Sequence, residues 1–355
     1  MGGVRISTRG ATGIIGLDRP EAINALDKAM IDAVNAALGQ WTDDPAIKAV
    51  LIEGHGERGL CAGGDVRAVR ALVLEGRTEE AMAFFAAEYT MNATIARYAK
   101  PVIALQRGIV MGGGIGISSH ARFRVATASS RFAMPEALIG FFCDVGVNAI
   151  LAQTTRERAL AFALSGMSVD VGDAIALGLT DAAVSEDGFE DMRARLIDAA
   201  QAGEPDTAIA AIIQARSIEP GTATLCALAD SLSAAFAEPS AADVIARLEE
   251  LADEGDPGAA AMAEKLKGLC PYSLEVIHAS HLLARRQRDV DAVLETDLAL
   301  ARHMALRPDF AEGVRALLVD KDKAPRWTPA SMEGVDIPAI AALCGGPRSR
   351  AITDS

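Results

Sequence analysis

Residues 101–146 read PVIALQRGIVMGGGIGISSHARFRVATASSRFAMPEALIGFFCDVG, and the organisation of the chain is clearest there. The segment begins with an apolar run of the kind that forms a buried strand, and a triple glycine follows at residues 112–114. Two more short strands are predicted before Glu136 and Asp144, which stand eight residues apart in otherwise apolar sequence. Short strands that alternate with helices and turns predict an α/β fold whose sheet is mostly parallel.

The rest of the first half of the chain repeats this alternation. A hairpin is predicted around Arg9-Gly10, and a helix is predicted to begin at an Asp27 cap. The predicted strands are 4–7, 12–17, 49–53, 102–105, 123–126 and 131–133, and the predicted helices are 27–38, 66–74 and 79–98. Helices dominate from about Thr155 onward, with a loop near residues 202–205. We therefore predict a catalytic core over residues 1–202 and a helical region over residues 203–355.

Composition limits the class of protein. The 355 residues are 50% hydrophobic and 23% charged, which is typical of a globular protein with a sizeable core. The net charge of −14 disfavours a nucleic-acid partner, because such proteins need a basic surface. No apolar run is long enough for a membrane helix, the five cysteines show no CxxC spacing, and the N-terminus lacks a signal-peptide pattern. These features predict a cytoplasmic protein without membrane contact or a disulfide framework.

The two glycine-rich segments suit chemistry at a carbonyl group. One is the triple glycine, and the other is GLCAGGD at residues 59–65, which is predicted to form a turn. A helix that begins near Gly113 would leave amide N–H groups unpaired, and the amide of Gly64 would be a second donor to the same oxygen. The competing interpretation is that glycine here only permits tight helix–strand packing. A phosphate loop is disfavoured, since neither GxxxxGK[ST] nor GxGxxG fits these residues.

Glu136 and Asp144 are the candidate catalytic side chains. Carboxylates in apolar surroundings lose solvation, which raises their pKa and suits proton transfer or nucleophilic attack. The alternative is a structural role, in which one carboxylate caps a helix and the other pairs with a nearby arginine. His278 and His281 lack an evident third ligand, so no metal site is predicted and a surface or packing role is favoured for them.

Six motifs carry a resemblance to a known family. LDRPEAINAL (17–26), GLCAGGD (59–65) and VMGGGIGIS (110–118) resemble the enoyl-CoA hydratase/isomerase superfamily, also called the crotonase superfamily. AEYTMN (87–92), the segment from FRVAT to FFCDVG (123–146) and DFAEGVRALLVDKDKAPRWTP (309–329) are most similar to its 3-hydroxyisobutyryl-CoA hydrolase family. The resemblance spans nearly the whole chain. It implies a crotonase-like ββα superhelix core with a mostly helical C-terminal part, and the activity of an acyl-CoA thioester hydrolase.

Carried over motif by motif, the resemblance implies roles for particular residues. The amides of Gly64 and Gly113 would form an oxyanion hole, and Glu136 would be the principal catalytic carboxylate. Asp144 and Glu88 would line the acyl pocket, where Asp144 would orient the acyl hydroxyl or protonate the departing thiolate. Coenzyme A would be part of the substrate, with no separate cofactor and no metal. A homo-oligomer such as a trimer is also expected.

The pattern departs from its relatives at positions that bear on activity. Hydration enzymes of the superfamily carry a second glutamate where this chain has Gly116, and its absence favours thioester hydrolysis. Cys143 replaces an expected proline, and Val147-Asn148 replaces Gly-Gly. Three functions therefore compete. They are hydrolysis of 3-hydroxyisobutyryl-CoA or a related short 3-hydroxyacyl-CoA in valine breakdown, hydration or isomerisation of another acyl-CoA, and non-catalytic binding of acyl-CoA or RNA.

Overall fold

A computed structural model of the protein describes residues 3–345, over which the chain forms a layered α/β fold with a helical C-terminal part. The strands are β1 (Gly3–Arg9), β2 (Thr12–Asp18), β3 (Ala49–Gly54), β4 (Gly59–Cys61), β5 (Val102–Gln106), β6 (Ile109–Met111), β7 (Phe123–Thr127), β8 (Arg131–Ala133), β9 (Ala182–Val184) and β10 (Ser217–Ile218). The helices of the first part are α1 (Lys28–Thr42), α2 (Val66–Leu74), α3 (Thr78–Ala96), α4 (Gly113–Ser119), α5 (Val147–Leu151), α6 (Arg156–Ser165), α7 (Val171–Ala176) and α8 (Phe189–Ala199). Those that follow are α9 (Pro205–Arg216), α10 (Thr224–Ser231), α11 (Ser233–Phe236), α12 (Ala241–Asp253), α13 (Pro257–Lys267), α14 (Pro271–Gln287), α15 (Val290–Ala305), α16 (Pro308–Val314) and α17 (Ile337–Gly345).

The larger of two sheets has seven strands in the order β1-β2-β3-β5-β7-β9-β10. The strands from β2 to β9 run parallel, and the edge strands β1 and β10 are antiparallel to their neighbours. This topology confirms the predicted hairpin and the predicted parallel core. The Asp27 cap is also confirmed, since its Oδ1 accepts a hydrogen bond of 2.8 Å from the Met30 amide at the start of α1.

Both faces of the large sheet are buried, which explains why its strands are nearly continuous apolar runs. Val50 and Ile52 of β3 pack into the main hydrophobic core. Ala49 and Leu51, which point to the opposite face, belong to a second cluster that α8 and α9 complete. One strand therefore connects two layers of apolar packing.

The smaller sheet consists of β4, β6 and β8, which pair in parallel in that order. Each follows a strand of the large sheet directly along the chain, as β3–β4, β5–β6 and β7–β8, and helical segments come next. Repetition of this unit produces the expected ββα superhelix. The predicted turn at residues 59–65 is wrong at its beginning, because Gly59–Cys61 is the strand β4. The predicted strand 131–133 is confirmed as β8, whereas β4 and β6 were not predicted, because three residues are too few to show a hydrophobic period.

The helices from α10 onward continue the main hydrophobic core. Phe141 stacks on Phe85 of α3 at a centroid distance of 5.3 Å and contacts Phe310 of α16 at 5.4 Å. The main cluster thus contains residues from both sides of residue 202, and the predicted division of the chain there stays a prediction. No helix in the part of the chain that the structure describes is long and apolar enough to cross a membrane.

Candidate active site

The strands of the small sheet end beside three of the residues implicated by sequence. Gly64 lies three residues after β4, Gly113 two residues after β6 and Glu136 three residues after β8. The amide of Gly112 donates to the Ala133 carbonyl at 3.1 Å, which continues the β6–β8 pairing to the end of the sheet. Because adjacent parallel strands present their carboxyl ends at one edge, the sheet brings these three positions together.

The amides of Gly64 and Gly113 border the same space and are free. The Leu26 amide donates to the Gly63 carbonyl and the Leu26 carbonyl accepts from the Asp65 amide, each at 2.8 Å, so the Gly64 amide between them points away from Leu26. Within residues 3–345 neither Gly64 nor Gly113 donates a hydrogen bond through its amide. A Cβ on Gly113 would lie 3.1 Å from the Gly64 nitrogen. Two unpaired donors therefore stand side by side.

Glycine is required here because two carboxyl groups approach the backbone. A Cβ on Gly112, whose φ is +50°, would lie 2.8 Å from Oε1 of Glu136. A Cβ on Gly113 would overlap Oε1 of Glu88. Gly114 serves packing instead, since a Cβ there would overlap the carbonyl oxygen of Cys61 in β4. The packing interpretation of the triple glycine is thus confirmed for Gly114, and the catalytic interpretation of Gly113 stays a prediction.

A cavity of about 470 Å³ opens beside these groups. Its wall is mostly apolar on the side of α3 and the C-terminal part, and a π-helical turn at Arg315–Val319 contributes two leucines. The lining side chains that shape it are Phe84, Phe85, Ile139, Phe141, Val145, Leu317 and Leu318, and the polar or charged ones are Arg19, Asp65, Arg67, Glu88, Glu136 and Asp144. A concave apolar site with a few convergent polar groups is typical of small-molecule binding.

Three of the four acidic residues that line this cavity are buried, Glu88, Glu136 and Asp144, with 2%, 7% and 5% of each residue exposed. Oε1 of Glu88 and Oε2 of Glu136 have no hydrogen-bond partner among the described residues. Burial, and next the charge of Asp144, raises the pKa of Glu88 and of Glu136 well above the ordinary value of 4.5. Carboxylates that share a cavity cannot all ionise, so the cluster retains protons and titrates as a unit.

Asp144 is the one of these three carboxyl groups that accepts a hydrogen bond from another side chain in the described part of the chain. The Tyr89 hydroxyl donates to its Oδ2 at 2.6 Å. Burial raises the pKa of Asp144 to about 7, although the hydrogen bond from Tyr89 acts in the opposite direction. Asp144 therefore exchanges its proton near neutral pH, which suits an acid or base in catalysis.

We expect the Asp144→Asn substitution to change how stability depends on pH. Below about pH 4 the carboxyl group is protonated in the folded and unfolded protein alike, so it does not make stability depend on pH there. Between about pH 4 and pH 7 the unfolded chain loses the proton that the folded protein keeps, so wild-type stability falls as the pH rises. Asparagine has no proton to lose.

The measurement is urea unfolding of both proteins from pH 4 to pH 8. The difference in unfolding free energy, variant minus wild type, should increase with pH by at most about 1.4 kcal/mol per pH unit. It should level off near pH 7. A difference that does not vary with pH would contradict the assigned burial and pKa of Asp144.

The space beside Gly116, where hydration enzymes carry a second glutamate, is filled. A Cβ on Gly116 would lie 2.8 Å from the Cβ of Val145 and 3.1 Å from both side-chain polar atoms of Asn92. A glutamate could not point from this position into the cavity without displacing Val145, which lines it. The second carboxylate of a hydratase is therefore excluded by packing as well as by sequence.

The structural interpretation of Glu136 and Asp144, in which one of them pairs with a nearby arginine, is wrong. Arg122 pairs with Asp206 at 2.7 Å, and Arg124 pairs with Asp181. No ion pair in the described chain involves Glu136, and the same is true of Asp144.

The two histidines that were considered as metal ligands lie in the packed interior. His278 and His281 are buried, so their proposed surface role is wrong and the packing role is confirmed. Within the described residues no group of three potential metal ligands exists.

Two departures from the hydrolase pattern, at Cys143 and Asn148, lie outside the cavity lining. Asn148 donates to the Cys143 carbonyl at 3.1 Å and contacts His281 Nδ1 at 3.1 Å.

Sequence reasoning missed two polar residues behind the cavity. Tyr89 holds Asp144, and Asp297 of α15 accepts a hydrogen bond of 2.8 Å from the Gly146 amide. Tyr89 directly follows Glu88 in a motif that the resemblance had singled out. Asp297 could have been noticed as an acid on the apolar face of α15, between Leu294 and Ala301.

Comparison with known proteins identifies the class to which this fold and site belong. The model of the enoyl-CoA hydratase/isomerase family matches residues 12–343. The chain therefore belongs to the enoyl-CoA hydratase/isomerase family, as its motifs predict.

Relatives of this chain include proteins named 3-hydroxyisobutyryl-CoA hydrolase. The mitochondrial one of Danio rerio is 34% identical over 326 residues, which cover 92% of this chain and 85% of the relative. The protein named 3-hydroxyisobutyryl-CoA hydrolase 1 of Arabidopsis thaliana is 33% identical over 336 residues, with coverages of 93% and 88%. The resemblance to this hydrolase family is thereby confirmed.

Solved structures show the same fold. A carnitinyl-CoA dehydratase from Mycobacterium thermoresistibile superposes with a TM-score of 0.88 at 32% identity, covering 98% of this chain and 97% of its own. An enoyl-CoA hydratase from Rhodobacter sphaeroides 2.4.1 gives a TM-score of 0.87 at 32% identity, with coverages of 96% and 97%. The crotonase-like core with its helical C-terminal part is confirmed.

Proposed function

We propose that this protein hydrolyses the thioester of 3-hydroxyisobutyryl-CoA, or of a related short 3-hydroxyacyl-CoA, to the free acid and coenzyme A. The observation that carries the proposal is the buried Glu136 carboxyl group beside the unpaired amides of Gly64 and Gly113. The relatives named 3-hydroxyisobutyryl-CoA hydrolase, which match over nine tenths of the chain, support the choice of acyl group.

In this mechanism the thioester oxygen occupies the space between the two amides. Negative charge develops on that oxygen when the carbonyl carbon is attacked, and the two unpaired N–H groups would stabilise it by donating hydrogen bonds. Each donor of this kind contributes roughly 2.7–4 kcal/mol to transition-state stabilisation. The apolar wall of Phe84 and Phe141 strengthens the effect, because it excludes water that would screen the charge.

Glu136 must be ionised to attack the carbonyl carbon or to activate water. Its pKa is raised by burial and by the charge of Asp144, so it ionises most readily when Asp144 and Glu88 keep their protons. The two neutral acids are then hydrogen-bond donors for the acyl hydroxyl or for the leaving sulfur. This division of protonation states resembles other sites where two carboxyl groups take different roles.

The steps balance without any further reactant. Glu136 either adds to the thioester carbon, giving a mixed anhydride that water then opens, or removes a proton from water that adds directly. In each case the C–S bond breaks, Asp144 gives its proton to the departing thiolate, and the proton released by water restores the cluster. The net reaction consumes one water and yields one acid and one thiol.

A second candidate is hydration of an enoyl-CoA, which the solved structures of a hydratase and a dehydratase with the same fold favour. Hydration uses two positioned carboxylates, and the position of the second one is Gly116. Val145 and Asn92 fill the space that its side chain would need. The packing around Gly116 therefore favours hydrolysis.

A thiol-release assay tests the proposal. The purified protein is given (S)-3-hydroxyisobutyryl-CoA, 3-hydroxypropionyl-CoA and crotonyl-CoA, while free thiol and the enoyl absorbance are followed separately. We expect thiol release that is fastest with 3-hydroxyisobutyryl-CoA, and no loss of the crotonyl double bond. Hydration of crotonyl-CoA without free thiol would establish the second candidate instead. Tight binding of the panel without turnover, unchanged in Glu136→Gln, would indicate a non-catalytic acyl-CoA-binding protein.

This substrate would place the protein in valine breakdown. The cytoplasmic location, the homo-oligomeric state and the absence of a separate cofactor or metal stay predictions.

A further inference from the structure

The peptide unit between Val145 and Gly146, one residue after Asp144, is held by hydrogen bonds with three side chains. The Val145 carbonyl accepts a hydrogen bond of 2.8 Å from Nε2 of His120, at the end of α4, and a longer one of 3.4 Å from Asn92 of α3. On the other side of the same peptide, the Gly146 amide donates to Oδ2 of Asp297 in α15 at 2.8 Å. Side chains from three helices therefore fix one peptide between Val145 and Gly146.

This peptide needs such support because its conformation is unfavourable. Val145 has a φ of +54° and Gly146 a φ of +71°. A β-branched residue rarely adopts the left-handed region, and it persists there only when the surrounding structure holds it. Val145 itself lines the cavity, and Asp144 immediately precedes it.

We propose that Asp297 is a positioning residue of the active site, whose hydrogen bond to the Gly146 amide keeps the Asp144 carboxyl group aimed into the cavity. The inference rests on the proposed function, in which Asp144 acts on the acyl group or the leaving sulfur. It also gives the helical C-terminal part of the chain a role in the reaction, because α15 is far from the core motifs in sequence.

The environment of Asp297 supports a specific role. Its side chain is 1% exposed on the face of α15 that carries Leu294, Ala301 and Met304, and a polar group in such a place costs free energy unless it is bonded. Burial and the charge of Asp144 raise the pKa of Asp297 well above its ordinary value of 3.8. Asparagine would keep an oxygen that can accept the Gly146 hydrogen bond, so it is a close mimic of Asp297 at this position.

The same helix also contacts the other side of the site. Helix α15 packs along α3, which carries Glu88, Tyr89 and Asn92. A Cβ on Gly146 would lie 3.0 Å from Cδ2 of Leu294, so the backbone of the Asp144 segment rests directly on α15. Asp297 thus makes a polar contact to this segment from the face of α15 that is otherwise apolar.

The test compares Asp297→Ala and Asp297→Asn with Glu275→Ala. Glu275 of α14 is a matched control, because it is also a buried carboxyl group bonded to backbone amides, those of Ala241 and Ala242, and it lies outside the cavity. Two quantities are measured on the full chain. They are the kinetics of thiol release from 3-hydroxyisobutyryl-CoA, and hydrogen exchange at the Gly146 amide in the absence of substrate.

We expect Asp297→Ala to lower kcat by about 100-fold with KM within about threefold of wild type, since small misplacement of a catalytic group has effects of this size. Exchange of the Gly146 amide should accelerate by at least about tenfold. Asp297→Asn should restore both to within about threefold, and Glu275→Ala should lower stability without changing either. If the alanine variant does not fold, Asp297→Ser takes its place, because its shorter side chain cannot reach the amide.

The inference is overturned if Asp297→Ala keeps kcat within about threefold of wild type, or if Glu275→Ala loses as much kcat as Asp297→Ala does. It is also overturned if the Gly146 amide exchanges equally fast in both Asp297 variants and the wild type. Wild-type protein that releases no thiol from any substrate would refute the proposed function by itself, and the exchange measurement would still decide whether Asp297 fixes this peptide.

Discussion

Replacement of Glu136 by glutamine is expected to lower kcat for thioester hydrolysis by at least about 10³-fold, because a carboxamide is neither a base nor a nucleophile. The substitution preserves the shape of the side chain and its position near Gly112. KM should change by less than about fivefold, since the substitution leaves the amides of Gly64 and Gly113 and the apolar wall in place.

Stability gives this prediction an independent check. One oxygen of Glu136 is buried without a partner among residues 3–345, and burial raises the pKa of the group well above its ordinary value. A neutral amide at this position should therefore leave the melting temperature at neutral pH unchanged or higher. Activity and stability would then move in opposite directions, as expected at a site where function conflicts with packing.

The control is Glu275→Gln, which alters a buried carboxyl group outside the cavity. It should keep kcat near the wild-type value. A loss of less than about tenfold in Glu136→Gln would rule out Glu136 as the group that attacks the carbonyl carbon or activates water.

The second large effect is expected for Gly113→Ala, which should lower kcat/KM by about 100- to 1000-fold, the cost of losing one oxyanion donor. The new Cβ would overlap Oε1 of Glu88 and stand 3.1 Å from the Gly64 nitrogen. The methyl group therefore pushes apart the two loops whose amides must meet on one oxygen.

A graded series makes this result specific. Gly64→Ala should be less damaging, since its Cβ would meet the end of the Phe84 ring at 2.9 Å, and a side chain can move more easily than backbone. Gly39→Ala is the control, because Gly39 lies in α1 with no atom within 4 Å of the added methyl group. Kinetics and circular dichroism of all three variants provide the measurement. Gly113→Ala with more than a third of wild-type activity would contradict the two-amide site.

Much of the fold could be predicted because its long elements have a clear periodicity. Strands β3 and β5 are buried on both faces and read as apolar runs, and α1 begins at an aspartate that caps it. The net charge of −14 likewise disfavoured a nucleic-acid partner without any coordinates. Strand β8 of the small sheet was predicted as residues 131–133, but β4 and β6 were not, because three residues are too few to show a hydrophobic period.

The candidate site divides along the same line. The residue types at 64, 113, 136 and 144, and the glycine at 116, are properties of the sequence, and they indicated carbonyl chemistry without a second glutamate. Their convergence is a property of the small sheet, since hydrogen bonds between adjacent parallel strands place the three strand ends at one edge.

Only tertiary structure could reveal the contact between Gly146 and Asp297, which are 151 residues apart along the chain. The sequence also could not predict the protonation states of the carboxyl groups in the cavity, because they depend on how many such groups the packing encloses together. Sequence determines which chemical groups are present and which local elements form. Burial and long-range contact decide what each group does, because the free energy of a charge depends on its neighbours in space.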